Sequence, residues 1–382
     1  MNILITGAFG FVGTNLSAYL AEKKHELWAL DVVEASRQDA KAQRSAYTRR
    51  FNWDELEEIP WGEVGAVIHL AGKAHDTRNT SDPQSYFDVN VGLTKRVLEA
   101  WASGNSGRDA ESTEGRSLRP PSGRNGEGKK NGYGSIKKFI LFSSVKAVAD
   151  RVEGVLAEEA VPEPQTPYGQ SKLEAEGVVR AVSGKSELGA ISLGSALSSS
   201  LPEIVKPAHS VMEPLNQSAG CLNYYILRPC MIHGPGNKGN LNLLYSMVRR
   251  GVPWPLGAFE NCRSFASIGN VCAVVEGLLA GEVSSGVYQV ADDEPLSTNM
   301  LIELMGGALG RRVRIWKLPQ GVVKAMACMG DVLHLPLNSE RLKKLTESYV
   351  ASNQKIKQAL GWDQMPVDAR EGMIRTLESF KQ

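Results

Sequence analysis

The chain has 382 residues, with 43 Lys plus Arg against 42 Asp plus Glu and a formal net charge of +1. The length exceeds the roughly 100–200 residues of one domain, and 42% hydrophobic with 22% charged residues suits a globular protein with a sizeable core. The charge balance argues against nucleic-acid binding, which needs a clustered basic excess, and no apolar run nears the roughly 20 residues of a membrane span.

Asn2–Thr6 is a short apolar run that ends at glycines and predicts a first strand. It starts almost at Met1, so no signal peptide is expected. Gly10–Glu22 carries Phe11, Leu16 and Leu20 at helical spacing. Glu26–Asp31 is a second apolar run, closed by an acid, and Ala66–Ala71 is a third. Phe87, Val91, Thr94, Leu98 and Trp101 follow i, i+4, i+7, i+11 and i+14 and mark one helix face. Ser103–Ser135 is rich in Gly, Ser, Arg and Asn, with Leu118 as its one leucine and no Val, Ile, Phe, Met or Trp. Such a segment cannot bury enough apolar surface to offset its ordering entropy, so a disordered insert is expected, with its charges solvated. Lys138–Ser143 and Tyr224–Arg228 are further strands, and Ser183–Gly220 between them is a second irregular stretch. The five cysteines (Cys221, Cys230, Cys262, Cys272, Cys328) form no Cys-x-x-Cys pair. Neither a disulfide framework nor a zinc site is expected, and a reducing cytoplasm fits. No His/Glu/Asp set has metal-ligand spacing, so no metal is expected.

Apolar runs without alternation, separated by helices, argue a parallel sheet covered on both faces. Right-handed crossovers then give a doubly wound α/β fold. The first strand runs into Gly7-Ala8-Phe9-Gly10-Phe11-Val12-Gly13. A glycine loop between strand and helix lets backbone amides approach a pyrophosphate at a helix N-terminus. The alternative is a tight turn with packing glycines. Asp31 ends the next strand, where a carboxylate accepts hydrogen bonds from an adenosine ribose. It also repels a 2′-phosphate, which favours NAD over NADP; Arg37 either softens that preference or is a solvated loop residue.

Thr6-Gly7-x-x-Gly10-x-x-Gly13 resembles the extended short-chain dehydrogenase/reductase superfamily of NAD-dependent nucleotide-sugar epimerases and dehydratases. So do His69-Leu70-Ala71-Gly72, Asn90, Ser143-Ser144, Tyr168-x-x-x-Lys172, Arg228-Pro229 with Gly234-Pro235-Gly236, Arg263-Ser264-Phe265, Asn270 and Leu360-Gly361-Trp362. The resemblance spans the chain apart from the two inserts. It implies a Rossmann-type NAD-binding domain over 1–229, with irregular inserts at 103–135 and 183–220. A smaller α/β nucleotide-sugar domain would occupy most of 230–382, with some segments returning to the sheet. The cofactor contacts implied are Gly7, Phe9, Gly10, Phe11, Val12, Gly13, Asp31, Leu70, Ala71, Gly72, Lys73, Asn90, Ser143, Tyr168 and Lys172. The substrate contacts implied are Ser144, Tyr168, Asn240, Leu241 and Arg263. Lys73 either meets cofactor phosphate or is a solvated loop lysine. His69, inside an apolar strand, reads as a hydrogen-bonded core histidine more readily than as a general base.

A tyrosine with a pKa near 10 is a poor base at neutral pH. Lys172, one helical turn after Tyr168, places an ammonium on the same face and favours the phenolate. Tyr168 can then take a hydroxyl proton while the carbon-bound hydrogen leaves to NAD. A hydroxyl at the end of the 138–143 strand would bond the same substrate oxygen. The family pattern puts Ser144 in that role, with Ser143 as the fallback.

The resemblance implies chemistry at C4 of a UDP-sugar, a UDP-hexose or UDP-N-acetylhexosamine. Ser144 is followed by Val145 and Lys146 rather than by the acidic pair of the family's dehydratases, which argues against 4,6-dehydration. A 4-epimerase is the first reading. A 4-keto-sugar reductase of the UDP-N-acetylquinovosamine dehydrogenase type is the second; Ser143–Lys146 and Pro253–Ala258, followed by Arg263, resemble enzymes acting on UDP-N-acetylhexosamines and their 6-deoxy 4-keto forms, that group among them. Such enzymes serve surface-polysaccharide synthesis in the cytoplasm. A reading of another class is an NAD-binding sensor or scaffold that does not catalyse. The Phe87–Trp101 helix and the helix near Tyr168 resemble a homodimer interface, though the same apolar spacing would serve the chain's own core.

Overall fold

Successive residues of the buried runs point to opposite sides of one sheet, as a pleated strand requires. Ile3 and Ile5 of β1 (Asn2–Thr6) join one apolar cluster, and Leu4 between them joins another. Leu27 and Ala29 part from Trp28 and Leu30 in the same way in β2 (Glu26–Leu30). The computed structural model describes residues 1–32, 46–74, 82–106, 138–183, 222–237, 239–333 and 338–381. Arg37 lies outside them. So does most of the two expected inserts.

With β3 (Arg49–Phe51), β4 (Ala66–His69), β5 (Lys138–Phe142), β7 (Asn223–Pro229) and β10 (Gly286–Val290), these strands form a seven-stranded sheet. Its order is β10-β7-β5-β4-β1-β2-β3, and every pairing is parallel. This is the Rossmann-type doubly wound fold, and the direction of winding reverses between β1 and β4. Ligands of such sheets bind beyond the carboxyl ends of the strands at that reversal.

One face is covered by α1 (Phe11–Ala21) and α5 (Ile268–Ala280), the other by α2 (Gln84–Ser106) and α3 (Pro167–Val182). Val91, Thr94, Leu98 and Trp101 of α2 are all buried, as their spacing requires. The helix runs to Ser106, past the Ser103 boundary expected for the first insert, and packs along α3. Lys138 opens β5 and donates to the carbonyls of Leu278 (2.8 Å), Leu279 (2.9 Å) and Gly281 (2.7 Å). It thereby satisfies acceptors that the end of α5 would otherwise leave bare.

A third apolar cluster is built after residue 240, from α4 (Asn240–Arg249), α6 (Thr298–Ala308), α7 (Gln320–Leu333), α8 (Ser339–Thr346) and α10 (Ala369–Ser379). The shorter α9 (Gln354–Leu360) returns to the large sheet, where Ile356 is buried. Two small parallel pairs join the units: β6 (Val155–Leu156) with β11 (Val350–Ala351), and β8 (Met231–His233) with β9 (Phe265–Ser267). A fourth cluster, including Val145, Val148, Cys230 and Ala291, packs at this junction.

Candidate active site

The glycine loop lies at the reversal of the sheet. Gly7 has φ 65°, and its carbonyl accepts Gly10 N at 3.1 Å. A Cβ at Gly13 would lie 2.5 Å from Ala8 O and 2.6 Å from Gly7 O, so only glycine lets the helix start this close to the strand. The first bond within α1 is Thr14 N to Gly10 O, and Gly10 gives no side-chain cap. The amides of Phe11, Val12 and Gly13 therefore have no intrahelical acceptor and form the positive end of the helix. An anionic phosphate fits this cradle. Asp31 braces the loop: Oδ2 accepts Phe9 N at 2.8 Å and Oδ1 accepts Val32 N at 2.7 Å. From the other side, Asn15 Nδ2 donates to Pro235 O at 3.1 Å, which brings the 234–236 turn against α1.

Beside it, the end of β4 is set by buried hydrogen bonds. Thr94 Oγ1 donates to Asn90 O (2.7 Å) and so accepts from His69 Nε2 (3.1 Å). His69 Nδ1 is then the acceptor for Thr6 Oγ1 at 2.8 Å, and that oxygen accepts Ala71 N at 3.1 Å. Burial first, and the Lys172 charge second, push His69 down to about 3. It is a neutral, hydrogen-bonded core residue. Asn90 Oδ1 accepts Lys73 N at 2.8 Å, and its Nδ2 donates to Ser171 Oγ at 2.9 Å. A Cβ on Gly72 would lie 2.8 Å from Asn90 Oδ1 and 3.0 Å from Lys172 Nζ. Gly72, Asn90 and Lys172 thus meet. Lys73 turns its ammonium to Ser85 Oγ (2.6 Å) and over the Tyr86 ring (5.0 Å).

Tyr168 is placed by the start of α3. Asp150 accepts Gln165 N (2.7 Å), Thr166 N (3.0 Å) and Thr166 Oγ1 (3.0 Å), and Thr166 caps the helix by accepting Gly169 N at 3.2 Å. A Cβ at Gly169 would overlap the Lys146 carbonyl, so glycine permits the helix to abut the turn that follows Ser144. The Tyr168 hydroxyl neighbours the Ser144 side chain, and its ring meets Tyr86 edge-on at 6.1 Å. Burial pushes the phenol up; the neighbouring Ser144 hydroxyl opposes it. Lys172 is buried and donates Nζ to Phe142 O at 3.0 Å. Burial pulls it down to about 8, against the pull of Glu176.

Ser143 faces elsewhere. Its Oγ donates to Glu176 Oε1 at 2.6 Å, and its N–H to Leu227 O at 2.8 Å. Glu176 is wholly buried and also accepts Arg228 Nε (2.8 Å), Arg228 Nη2 (2.6 Å) and Arg180 Nη2 (3.0 Å). Sequence reasoning passed over Glu176, although it lies four residues beyond Lys172.

Arg263 donates Nε to Glu347 O at 2.9 Å. It lies near enough to Lys146 for its charge to add to the burial that lowers that lysine. Lys146 donates to Asp150 O at 2.7 Å and lies 4.1 Å over the Tyr349 ring. The Leu241 side chain is buried in the C-terminal cluster, which leaves its backbone for any ligand; Asn240 opens α4, and only its backbone is described. Among the described residues, no group of three His, Cys, Asp or Glu is placed to hold a metal, and no helix is long and apolar enough to cross a membrane.

The profile of the NAD dependent epimerase/dehydratase family matches residues 3–195, half of the chain. The chain belongs to this family. As a member, it is an NAD-dependent enzyme. It is similar to a UDP-glucose 4-epimerase of Vibrio cholerae, 26% identical with 100% of this chain and 96% of that protein aligned. It is also similar to N-acetyl-alpha-D-glucosaminyl-diphospho-ditrans,octacis-undecaprenol 4-epimerase of Escherichia coli O157:H7, 24% identical over 83% of this chain and 75% of that protein. The fold matches the UDP-glucuronic acid 4-epimerase of Bacillus cereus in complex with NAD, with TM-score 0.63, 17% identity and coverage of 100% and 99%. It matches equally the UDP-glucose 4-epimerase of Thermotoga maritima with UDP-glucose, with TM-score 0.64, 19% identity and coverage of 100% and 99%.

Proposed function

We propose that this enzyme is a UDP-sugar 4-epimerase in which Ser144, Tyr168 and Lys172 act on the C4 hydroxyl of the sugar. The proximity of the Tyr168 and Ser144 side chains carries this reading, with Lys172 one helical turn further on. Both relatives, aligned over 83% or more of this chain, are 4-epimerases of diphosphate-linked sugars, which supports the reaction class.

The amides of Phe11, Val12 and Gly13 hold the cofactor phosphates, Asp31 its adenosine ribose, and the Leu70–Lys73 segment with Asn90 borders it. Asp31 selects NAD by repelling a 2′-phosphate. NAD bound there would supply the hydride acceptor and donor for the sugar carbon. Tyr168 accepts the hydroxyl proton and later returns it. Ser144 bonds the same oxygen and steadies its developing charge. Lys172 supplies the positive charge that draws the buried phenol toward its anion. Arg263, beside the turn after Ser144, faces the diphosphate, and the backbone at Asn240 and Leu241 meets the uracil. Val145 and Lys146 stand where the family's dehydratases carry an acidic pair, which argues against 4,6-dehydration. The enzyme acts in the cytoplasm, where its free cysteines stay reduced, and the packed pair α2 and α3 offers a face for a homodimer.

Proton NMR of the protein with NAD and a panel of UDP-hexoses and UDP-N-acetylhexosamines tests the proposal. A C4 epimer appearing without net NADH is expected, and Tyr168→Phe should bind NAD yet lose most turnover. Near-wild-type turnover by that variant overturns the site. Absence of any epimer, with reduction of a 4-keto sugar by NADH, replaces the epimerase with a reductase. Tight NAD binding with no conversion of either kind leaves only a sensor.

A further inference from the structure

Tyr168, Lys172 and Glu176 recur every four residues along α3 and so lie along one face of the helix. The last of them is a fully buried carboxylate that accepts four hydrogen bonds, from Ser143, Arg180 and twice from Arg228. Burying a charge is costly unless it is paired, and an apolar residue of similar volume often serves a core as well. Packing alone is therefore a weak reason for Glu176. Its location supplies a stronger one. Ser143, which it holds, directly follows Phe142, whose carbonyl accepts Lys172 Nζ at 3.0 Å. Leu227 O holds the Ser143 amide, and the next residue on that strand is Arg228, the other partner of Glu176. The carboxylate thus clamps the ends of β5 and β7 together beneath the lysine.

We propose that Glu176 is a positioning residue for the Tyr168–Lys172 pair: its carboxylate orients the Phe142–Ser143 peptide that receives Lys172 and places a negative charge beside the buried ammonium. This rests on the catalytic reading of Tyr168 and Lys172. Among the described residues, no group around Lys172 other than Glu176 supplies a negative charge. His69, from β4, is neutral. Asn90, from α2, carries no charge, and Tyr86 of that helix meets Tyr168 by its ring edge. Arg228 from β7 and Arg180 from α3 are cations held by Glu176 itself. Burial lowers Lys172, and Glu176 works against that fall. Removing the carboxylate would both withdraw an attraction and unmask two guanidinium groups that repel the ammonium.

The test is a pH titration of the full chain carrying lysine labelled with carbon-13 at Cε, with the Lys172 resonance assigned through Lys172→Arg. In Glu176→Gln the Lys172 midpoint should fall by about one unit or more. Glu176→Asp should keep part of the wild-type value. The double variant Glu176→Gln/Arg228→Gln removes the more buried of the two guanidinium groups that Glu176 pairs. It should recover melting temperature while the Lys172 midpoint stays low, which a merely structural role would not produce. Should the single variant fail to fold, the double variant carries the same comparison. In turnover, the alkaline limb should move down with the midpoint, while KM stays near wild type. A folded variant whose Lys172 titrates as in the wild type overturns the proposal. The titration uses no sugar, so a lowered midpoint in a protein that epimerises nothing counts against the substrate reading alone.

Discussion

Ser143 donates its hydroxyl to the buried carboxylate of Glu176 at 2.6 Å, and that bond separates two neighbouring serines into two tasks. Ser144, next in the chain, neighbours Tyr168 instead, and its Oγ accepts Lys146 N at 3.2 Å. Backbone alternation at the strand end explains the division: consecutive side chains leave an extended segment on opposite sides. Ser144→Ala should lower turnover by about 10²-fold or more, and it also removes the cap that Ser144 Oγ gives Lys146 N, which costs about 0.5–2 kcal/mol. Ser143→Ala should retain much more turnover but leave Glu176 one donor short, which costs about 1–3 kcal/mol. Steady-state rates and denaturant melts of both variants decide this. If Ser143→Ala is the variant that loses turnover while its stability holds, the roles are reversed.

The charge on Lys172 sets a pH dependence of definite sign. Its folded pKa, about 8, lies below the ordinary 10.5. Between those values the unfolded chain holds a proton that the native state has released, so this group's contribution to stability rises with pH across that window. Turnover moves the opposite way, falling as pH passes about 8 and the ammonium is lost. Rates and melts followed from neutral to alkaline pH should diverge in this manner. In Lys172→Met the rise in stability should be reduced.

Asp31 both braces the glycine loop, through Phe9 N, and presents a carboxylate at the end of β2. Asp31→Ser should weaken NAD binding, because the loop loses its acceptor. It should also remove the repulsion toward a 2′-phosphate, which at an effective surface dielectric amounts to a few kcal/mol at contact. The ratio of NAD to NADP affinity should fall by about tenfold or more. Fluorescence titrations with NADH and NADPH measure it. An unchanged ratio would remove Asp31 from cofactor selection.

Gly13 has no room for a side chain, since a Cβ would meet two carbonyl oxygens of the loop. Gly13→Ala must push the start of α1 from the end of β1. The strain should cost about 1–3 kcal/mol. The displaced amides should also blunt the rise in melting temperature that NAD produces in the wild type. Thermal melts with and without NAD separate the two effects. A variant that melts normally and still gains full stability from NAD would show that this close approach is not needed.

Much of this architecture is written in short stretches of chain. The unalternating runs at Asn2–Thr6, Ala66–His69 and Lys138–Phe142 declare buried parallel strands, because a strand covered on both faces needs apolar residues at every position. The loop glycines and the Tyr168–Lys172 spacing are equally local, being set by sterics within a few residues and by one turn of helix. β10 carried no comparable signal, and only packing shows that residues 286–290 join the large sheet beyond β7. The choice between Ser143 and Ser144, the neutral tautomer of His69 and the approach of Arg263 to Lys146 likewise depend on segments far apart in the chain. Glu176 shows the division most plainly. Four residues after a lysine, an acid reads as a solvated helix pair worth a few tenths of a kcal/mol, about 0.2–0.5. Whether such a carboxylate meets water or is sealed against Arg228 and Ser143 is decided by burial, and burial belongs to the packed chain rather than to any stretch of its sequence.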